Sequence, residues 1–385
     1  MPLYLDYAAT QPMRQSAIDA WTRAASSLNP GASYASGRKA RSVLDDARET
    51  VAELLGCEPI EVIFTSSGTE ADNIAIQGLY RAAQTTSTTS GGAADETSTR
   101  IVSTPIEHPA VLETVEKLHA EHGATVELLP VDSTGHVSDL SALDTPAAVA
   151  TCMWANNETG AVQPVADITE RAAAQNTPVH IDAVQVAGKL PINFHELGAT
   201  TLAASAHKFG GPRGIGLLLA RRTPAPLPLA FGGGQERGIR PGTVDVASAS
   251  ALAAALRESV AEMEQEDTRL TALRDKLQAG IESSIDNVII NSAEPTLASH
   301  LHASFPGTDG DSLIMLLDAA GIEASAGSAC HAGVNRMSHV LEAMGIDEEH
   351  GRGSLRFSLG RMTTEEDIDA VLAELPEIIR RARSV

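Results

Sequence analysis

Thr201-Leu202-Ala203-Ala204-Ser205-Ala206-His207-Lys208 runs from an apolar stretch into a polar turn that carries a lysine, and Phe209-Gly210-Gly211-Pro212 follows at once. A short apolar run bounded by turn residues predicts a buried strand over 201–204, which puts Lys208 just past its carboxyl end. Further strands are predicted at residues 62–65, 101–103, 126–129, 149–153, 179–181 and 215–219. Helical patterns separate them, so the chain reads as α/β: a large domain with a mostly parallel seven-stranded sheet flanked by helices. In such sheets ligands bind beyond the carboxyl ends of the strands, which makes the turns after the strands the places to look for chemistry. Residues 84–99, rich in Ser, Thr and Gly, read as a surface loop without chemistry. Residues 246–285 read as one or two long helices crossing to a second unit, and residues 299–305, 313–317, 354–359 and a last helix at 365–382 form a smaller α+β domain. The expected division is 14–245 for the large domain, with 1–13 and 246–385 in the small one.

Composition narrows the function. The 385 residues hold 50 acidic against 28 basic side chains, a formal net charge of -22, which repels phosphate backbones and anionic membranes. No nucleic acid and no membrane is therefore expected as a partner. Hydrophobic residues make up 43% and aromatic ones only 3%, as suits helices packed on a parallel sheet through Ala, Val, Leu and Ile. The cysteines Cys57, Cys152 and Cys330 show no paired spacing, and the N-terminus lacks a secretory pattern, so a cytoplasmic protein is expected. Neither CxxC nor HxxxH spacing occurs, and no metal site is expected.

Two strand ends carry complementary chemistry. Val179-His180-Ile181 runs into Asp182, a carboxylate, as residues 201–204 run toward Lys208. A lysine that condenses with an aldehyde and an anion beside a pyridinium nitrogen are what pyridoxal phosphate requires. Phe64-Thr65-Ser66-Ser67-Gly68-Thr69-Glu70-Ala71-Asp72-Asn73 adds a strand, a small-residue turn and a helix start. Such a helix N-terminus is a phosphate site, and Ser67 to Glu70 also fits an ordinary N-cap; both can hold at once. Read alone, His108 before Pro109 is a capping residue, Asn156-Asn157 a turn and Arg356 a strand-borne ion pair. Cys57 and Cys152 are read as structural. Glycines 232, 233, 234 and 238 do not make a dinucleotide fingerprint.

Together these motifs resemble the cysteine desulfurases, within the aminotransferase class V group of fold-type I pyridoxal-phosphate enzymes. The resemblance covers nearly the whole chain, from Tyr4-Leu5-Asp6-Tyr7-Ala8-Ala9-Thr10 through Ile106-Glu107-His108, Trp154-Ala155-Asn156-Asn157-Glu158-Thr159-Gly160 and Gly232-Gly233-Gly234-Gln235-Glu236-Arg237 to Arg356-Phe357-Ser358-Leu359-Gly360. It implies that pyridoxal 5'-phosphate is held covalently by Lys208, with Asp182 at the ring nitrogen, His108 stacked on the ring and Gln185 donating to the phenolate oxygen. Gly68, Thr69, Ser205 and His207 are implied as phosphate ligands, with Thr243 reaching the phosphate of the neighbouring subunit in a homodimer. Asn157 and Arg356 resemble the pair that grips the substrate carboxylate. Ala326-Gly327-Ser328-Ala329-Cys330 resembles the loop whose cysteine accepts sulfur from L-cysteine, leaving alanine and a persulfide. His331 after it departs from the family pattern, which usually has a small hydroxyl residue there. A sulfur-acceptor protein such as an iron-sulfur scaffold is the implied partner. The alternatives are a selenocysteine lyase, which would share every residue named, and a class V aminotransferase, which would need an oxo acid but no such cysteine.

Overall fold

The computed structural model describes residues 2–89, 96–326 and 337–384; Cys330 and His331 lie outside them. The strands among the described residues are β1 (Leu3–Tyr4), β2 (Val62–Thr65), β3 (Arg100–Ser103), β4 (Thr125–Leu128), β5 (Val149–Met153), β6 (Val179–Asp182), β7 (Thr201–Ser205), β8 (Gly216–Ala220), β9 (Ile289–Ile290), β10 (His300–Ser304), β11 (Ile322–Glu323) and β12 (Ser354–Ser358). Seven of them form one sheet in the order β2-β8-β7-β6-β5-β3-β4. Neighbours from β7 through β4 pair in parallel, while β8 runs antiparallel to both β7 and β2. The expected mostly parallel seven-stranded sheet is therefore present, with β8 as the reversed member. Every residue of β2, β5, β6, β7 and β8 is buried. That is why these strands read as continuous apolar runs rather than alternating ones.

The 84–99 reading needs correction. Helix Gly68–Thr89 continues through the first part of it, and a short helix, Glu96–Thr99, leads into β3. Ile76, Leu79 and Tyr80 bury one face of the long helix beneath the sheet's edge, and this packing outweighs the loop-like Ser/Thr composition.

A single helix, Val246–Ser284, links two apolar cores. Asp245 starts it by accepting from the Ala247 and Ser248 amides, and its 39 residues extend about 58 Å. Leu252 and Leu256 on its first half belong to the large core under the sheet. Leu273, Leu277 and Ile281 on its second half belong to a smaller core with Leu301, Phe305, Phe357 and Leu375. There the antiparallel sheet β12-β10-β9 is covered by helices Gly310–Ala319 and Glu365–Ala382. Leu5 of the N-terminal segment joins this second core, and β1 pairs in parallel with β11. Residues 6–10 are thereby laid across the seam, over the carboxyl ends of the large sheet.

Candidate active site

A cavity of about 320 Å³ opens where the two units meet. Its lining comes mostly from strand ends: Ser67, Gly68, Thr69 and Asp72 after β2, His108 after β3, Met153, Ala155 and Asn157 at and after β5, Asp182, Val184 and Gln185 at and after β6, and Ser205, His207 and Lys208 at and after β7. The small unit adds Arg356 and Ser325, and the N-terminal segment adds Asp6, Ala8 and Ala9. Of the expected site residues, Gly68, Thr69, His108, Asn157, Asp182, Gln185, Ser205, His207, Lys208 and Arg356 all meet here. Thr243 is exposed and does not line this cavity, although Arg240, three residues before it, pairs with Glu70 in the first turn of helix Gly68–Thr89.

One end of the cavity is rich in donors. Helix Gly68–Thr89 begins there, with the Ser67 hydroxyl capping the Glu70 amide at 3.1 Å and Glu70 reaching back to the Ser66 amide. The amides of Gly68 and Thr69 at its start are open to an anion, as at other helix N-termini. Gly68 makes room for Val184, whose Cγ2 would lie 2.6 Å from an added Cβ. The His207 Nδ1 lies 3.2 Å from the Thr10 hydroxyl, and burial, with Lys208 and Arg213 nearby, pushes its imidazole down to about 4, so the ring is neutral.

Carboxyls also line the cavity. Asp182 accepts from the Val184 amide at 2.8 Å, and burial raises it to about 6 against the pull of that amide and of Lys208. Asp72 is buried beside it and bonded at 3.1 Å to the Nε2 of His180, whose Nδ1 sits 3.0 Å from the Thr201 hydroxyl. Burial, then the nearby Asp182 and Glu107, holds Asp72 well above the usual carboxylate range. Glu107 accepts from the Met153 amide and the Thr104 hydroxyl through Oε1 and is pushed up to about 8, chiefly by burial.

Lys208 and Arg356 face this floor. Lys208 Nζ donates to the carbonyls of Ala8 at 2.5 Å and Ala9 at 3.0 Å, and burial, reinforced by Arg356, lowers its ammonium to about 8. Arg356 stands on β12, donates to Asp6 at 2.6 Å and to the Asn157 carbonyl at 2.8 Å, and its buried Nε has no partner among the described residues. The expected capping role of His108 is present: its Nδ1 accepts from the Ala110 amide, which leaves any ring proton of the neutral imidazole on Nε2. Burial, with Lys208, lowers this histidine to about 4. Asn156 forms the expected turn by accepting from the Glu158 and Thr159 amides.

The comparisons with known proteins agree with this geometry. The aminotransferase class-V family model matches residues 3–371. The IscS-like cysteine desulfurase of Mycobacterium tuberculosis is 45% identical over 99% of this chain and 97% of the relative. A solved NifS-like protein superposes with a TM-score of 0.88 at 34% identity, over 99% of this chain and 100% of that one. The structure of SspA in complex with cysteine superposes at 0.79 with 30% identity, over 92% and 98%. This chain belongs to the cysteine desulfurase family. The cofactor of a cysteine desulfurase is pyridoxal 5'-phosphate, and the cavity fits it: it is lined by a helix start whose amides suit an anion, by a buried carboxyl, and by a lysine that among the described residues is held by carbonyl oxygens. Sequence reasoning gave no role to Asp6, Asp72 or Glu107. All three lie within motifs quoted for the resemblance or for the phosphate turn, but only folding brings them against Arg356 and Asp182.

Proposed function

We propose that the chain converts L-cysteine and the Cys330 thiol into L-alanine and a Cys330 persulfide, with pyridoxal 5'-phosphate bound at Lys208. The observation that carries this reading is the convergence of Lys208, Asp182 and Arg356 on one cavity in a chain of this family. When bound, the cofactor supplies an aldehyde carbon that condenses with amines and a ring that takes up the electron pair released at the substrate α-carbon.

The protein's own groups do the rest. The amides at Gly68 and Thr69, with Ser205 and His207, would hold the phosphate, while Asp182 would keep a proton on the ring nitrogen. Gln185 would donate to the phenolate oxygen and His108 would stack on the ring. Arg356 binds the substrate carboxylate with Asn157; its planar guanidinium suits two parallel bonds, and Asp6 fixes its orientation. Lys208, lowered to about 8, is poised to take the α-proton near neutral pH and return it. The Cys330 thiolate attacks the substrate sulfur, the sulfur leaves the substrate carbon, and that carbon ends as the methyl group of alanine.

A homodimer would bring Thr243 of each chain to the other's cofactor phosphate, which accounts for its exposure here. The persulfide would pass to an acceptor such as an iron-sulfur scaffold. A cytoplasmic setting suits a chain whose working thiol must stay reduced. The test is product analysis of the cofactor-loaded protein given L-cysteine and no oxo acid. Alanine formation is expected; amino-group transfer that needs an oxo acid would replace this reading with an aminotransferase.

A further inference from the structure

Lys189 has no place in the reaction as described, yet it touches the site through one side chain. Its Nζ donates to Gln185 Oε1 at 3.1 Å, and Gln185 Nε2 donates to the Ala8 carbonyl at 2.9 Å. Ala8 is also the carbonyl that receives Lys208. Burial pushes Lys189 down to about 7; below that pH it is an ammonium that can only donate, so the amide turns its oxygen to Lys189 and its NH₂ group to the other side. The Ala8 carbonyl uses one of the two amide hydrogens and leaves the second for a ligand in the cavity. Gln185 is buried, and an oxygen left there without a donor would favour turning the amide toward another partner.

The backbone holds Lys189 in place for this contact. Residues 183–190 wind through successive turns, with the amides of Lys189 and Leu190 donating to the Val186 carbonyl. Between Gln185 and Lys189, Gly188 adopts a φ of +76°, and a Cβ there would lie 2.6 Å from Ser259 Oγ. Ser259 on helix Val246–Ser284 donates to the Gly188 carbonyl at 3.0 Å and ties the turn to the helix. The cations that depress Lys189 are Lys208 and Arg356, after burial itself. No carboxylate pairs with it among the described residues.

We propose that Lys189 is a positioning residue that fixes the Gln185 amide with its NH₂ group presented to the cofactor. This rests on the reading of Gln185 as the donor to the phenolate oxygen. A donor there stabilises the anionic oxygen, so its loss makes the oxygen and the group bonded to it hold a proton to higher pH.

The experiment follows the visible absorption band of the cofactor-loaded protein as pH is varied, in the parent, Lys189→Met, Lys189→Arg, Gln185→Leu and the Lys189→Met/Gln185→Leu pair. Lys189→Met should raise the midpoint by about one pH unit, the size of one charge-assisted hydrogen bond. Lys189→Arg, which keeps the donors, should restore it. In the Gln185→Leu background Lys189→Met should add nothing, because the effect passes through the amide. If Lys189→Met does not load the cofactor, Lys189→Gln takes its place. An unchanged midpoint overturns the proposal, and so does a shift that persists without Gln185, which would make Lys189 a field charge only. Loss of alanine formation in the parent would instead sink the desulfurase reading, while its absorbance titration would still report on Lys189.

Discussion

Asp72, Glu107 and Asp182 are three buried carboxyls close enough to repel one another, so they cannot all be ionised at neutral pH. Asp182 is the one that the proposed cofactor contact needs charged, and of the three it is the one that Lys208 draws down. Glu107, at about 8, keeps its proton instead. A group whose folded value lies above its ordinary one stabilises the fold below the ordinary value, near 4.5, and that stability is lost as pH rises through 8. Glu107→Gln keeps the carbonyl that accepts from the Met153 amide and mimics the protonated acid. The variant without cofactor should therefore gain thermal stability over the parent as pH rises from 5 to 8, by about 1 kcal/mol per unit. The neutral buried His180, lowered to about 3, weakens both proteins alike in acid and cancels from the comparison. Melting curves that stay parallel from pH 5 to 8 would mean that Glu107 ionises in the fold at its ordinary value.

The strand-turn-helix from β2 into helix Gly68–Thr89 depends on how closely β8 approaches it. Gly216 opens β8 opposite Thr65, and a Cβ there would meet the Ser67 carbonyl carbon at 2.6 Å and the Ala204 oxygen at 2.8 Å. Both are backbone atoms, which cannot swing away as a side-chain tip can. Gly216→Ala should cost about 1–3 kcal/mol of stability and loosen cofactor retention, because the displaced Ser67 caps the helix proposed to bind the phosphate. Denaturant unfolding and cofactor dissociation measure the two effects, and an unchanged dissociation rate would separate β8 from the phosphate site. Strand positions were legible in the sequence, because buried parallel strands are short apolar runs between turns. The reversal of β8 was not: Leu217-Leu218-Leu219 is apolar in either direction and carries no mark of polarity along the chain. Lys208 and Asp182 were legible because each closes such a run. The Asp6 to Arg356 pair was not, since 350 positions separate its members and only the docking of the N-terminal segment on the second core unites them.

At the scale of the molecule, helix Val246–Ser284 spans both cores, and the cavity lies in the seam it bridges. The proposed binding of substrate through Arg356 of the small unit and of cofactor through Lys208 and Asp182 of the large sheet therefore depends on one relative placement of the two. Among the described residues no helix is long and apolar enough to cross a membrane. The strongly acidic surface implied by the net charge of -22 favours a sulfur acceptor that presents a basic face. In the proposed reaction Cys330 carries the sulfur from the cavity to such an acceptor, and the proposed function stands or falls on it. The deciding measurement is peptide mass analysis, with alanine quantified in parallel, after L-cysteine is added to the cofactor-loaded parent and to Cys330→Ser. One added sulfur atom on the Cys330 peptide of the parent is predicted, together with a Cys330→Ser protein that still changes its absorbance on binding cysteine but forms no alanine. Alanine formed by Cys330→Ser at the parent rate, or a parent peptide without added sulfur, would contradict it.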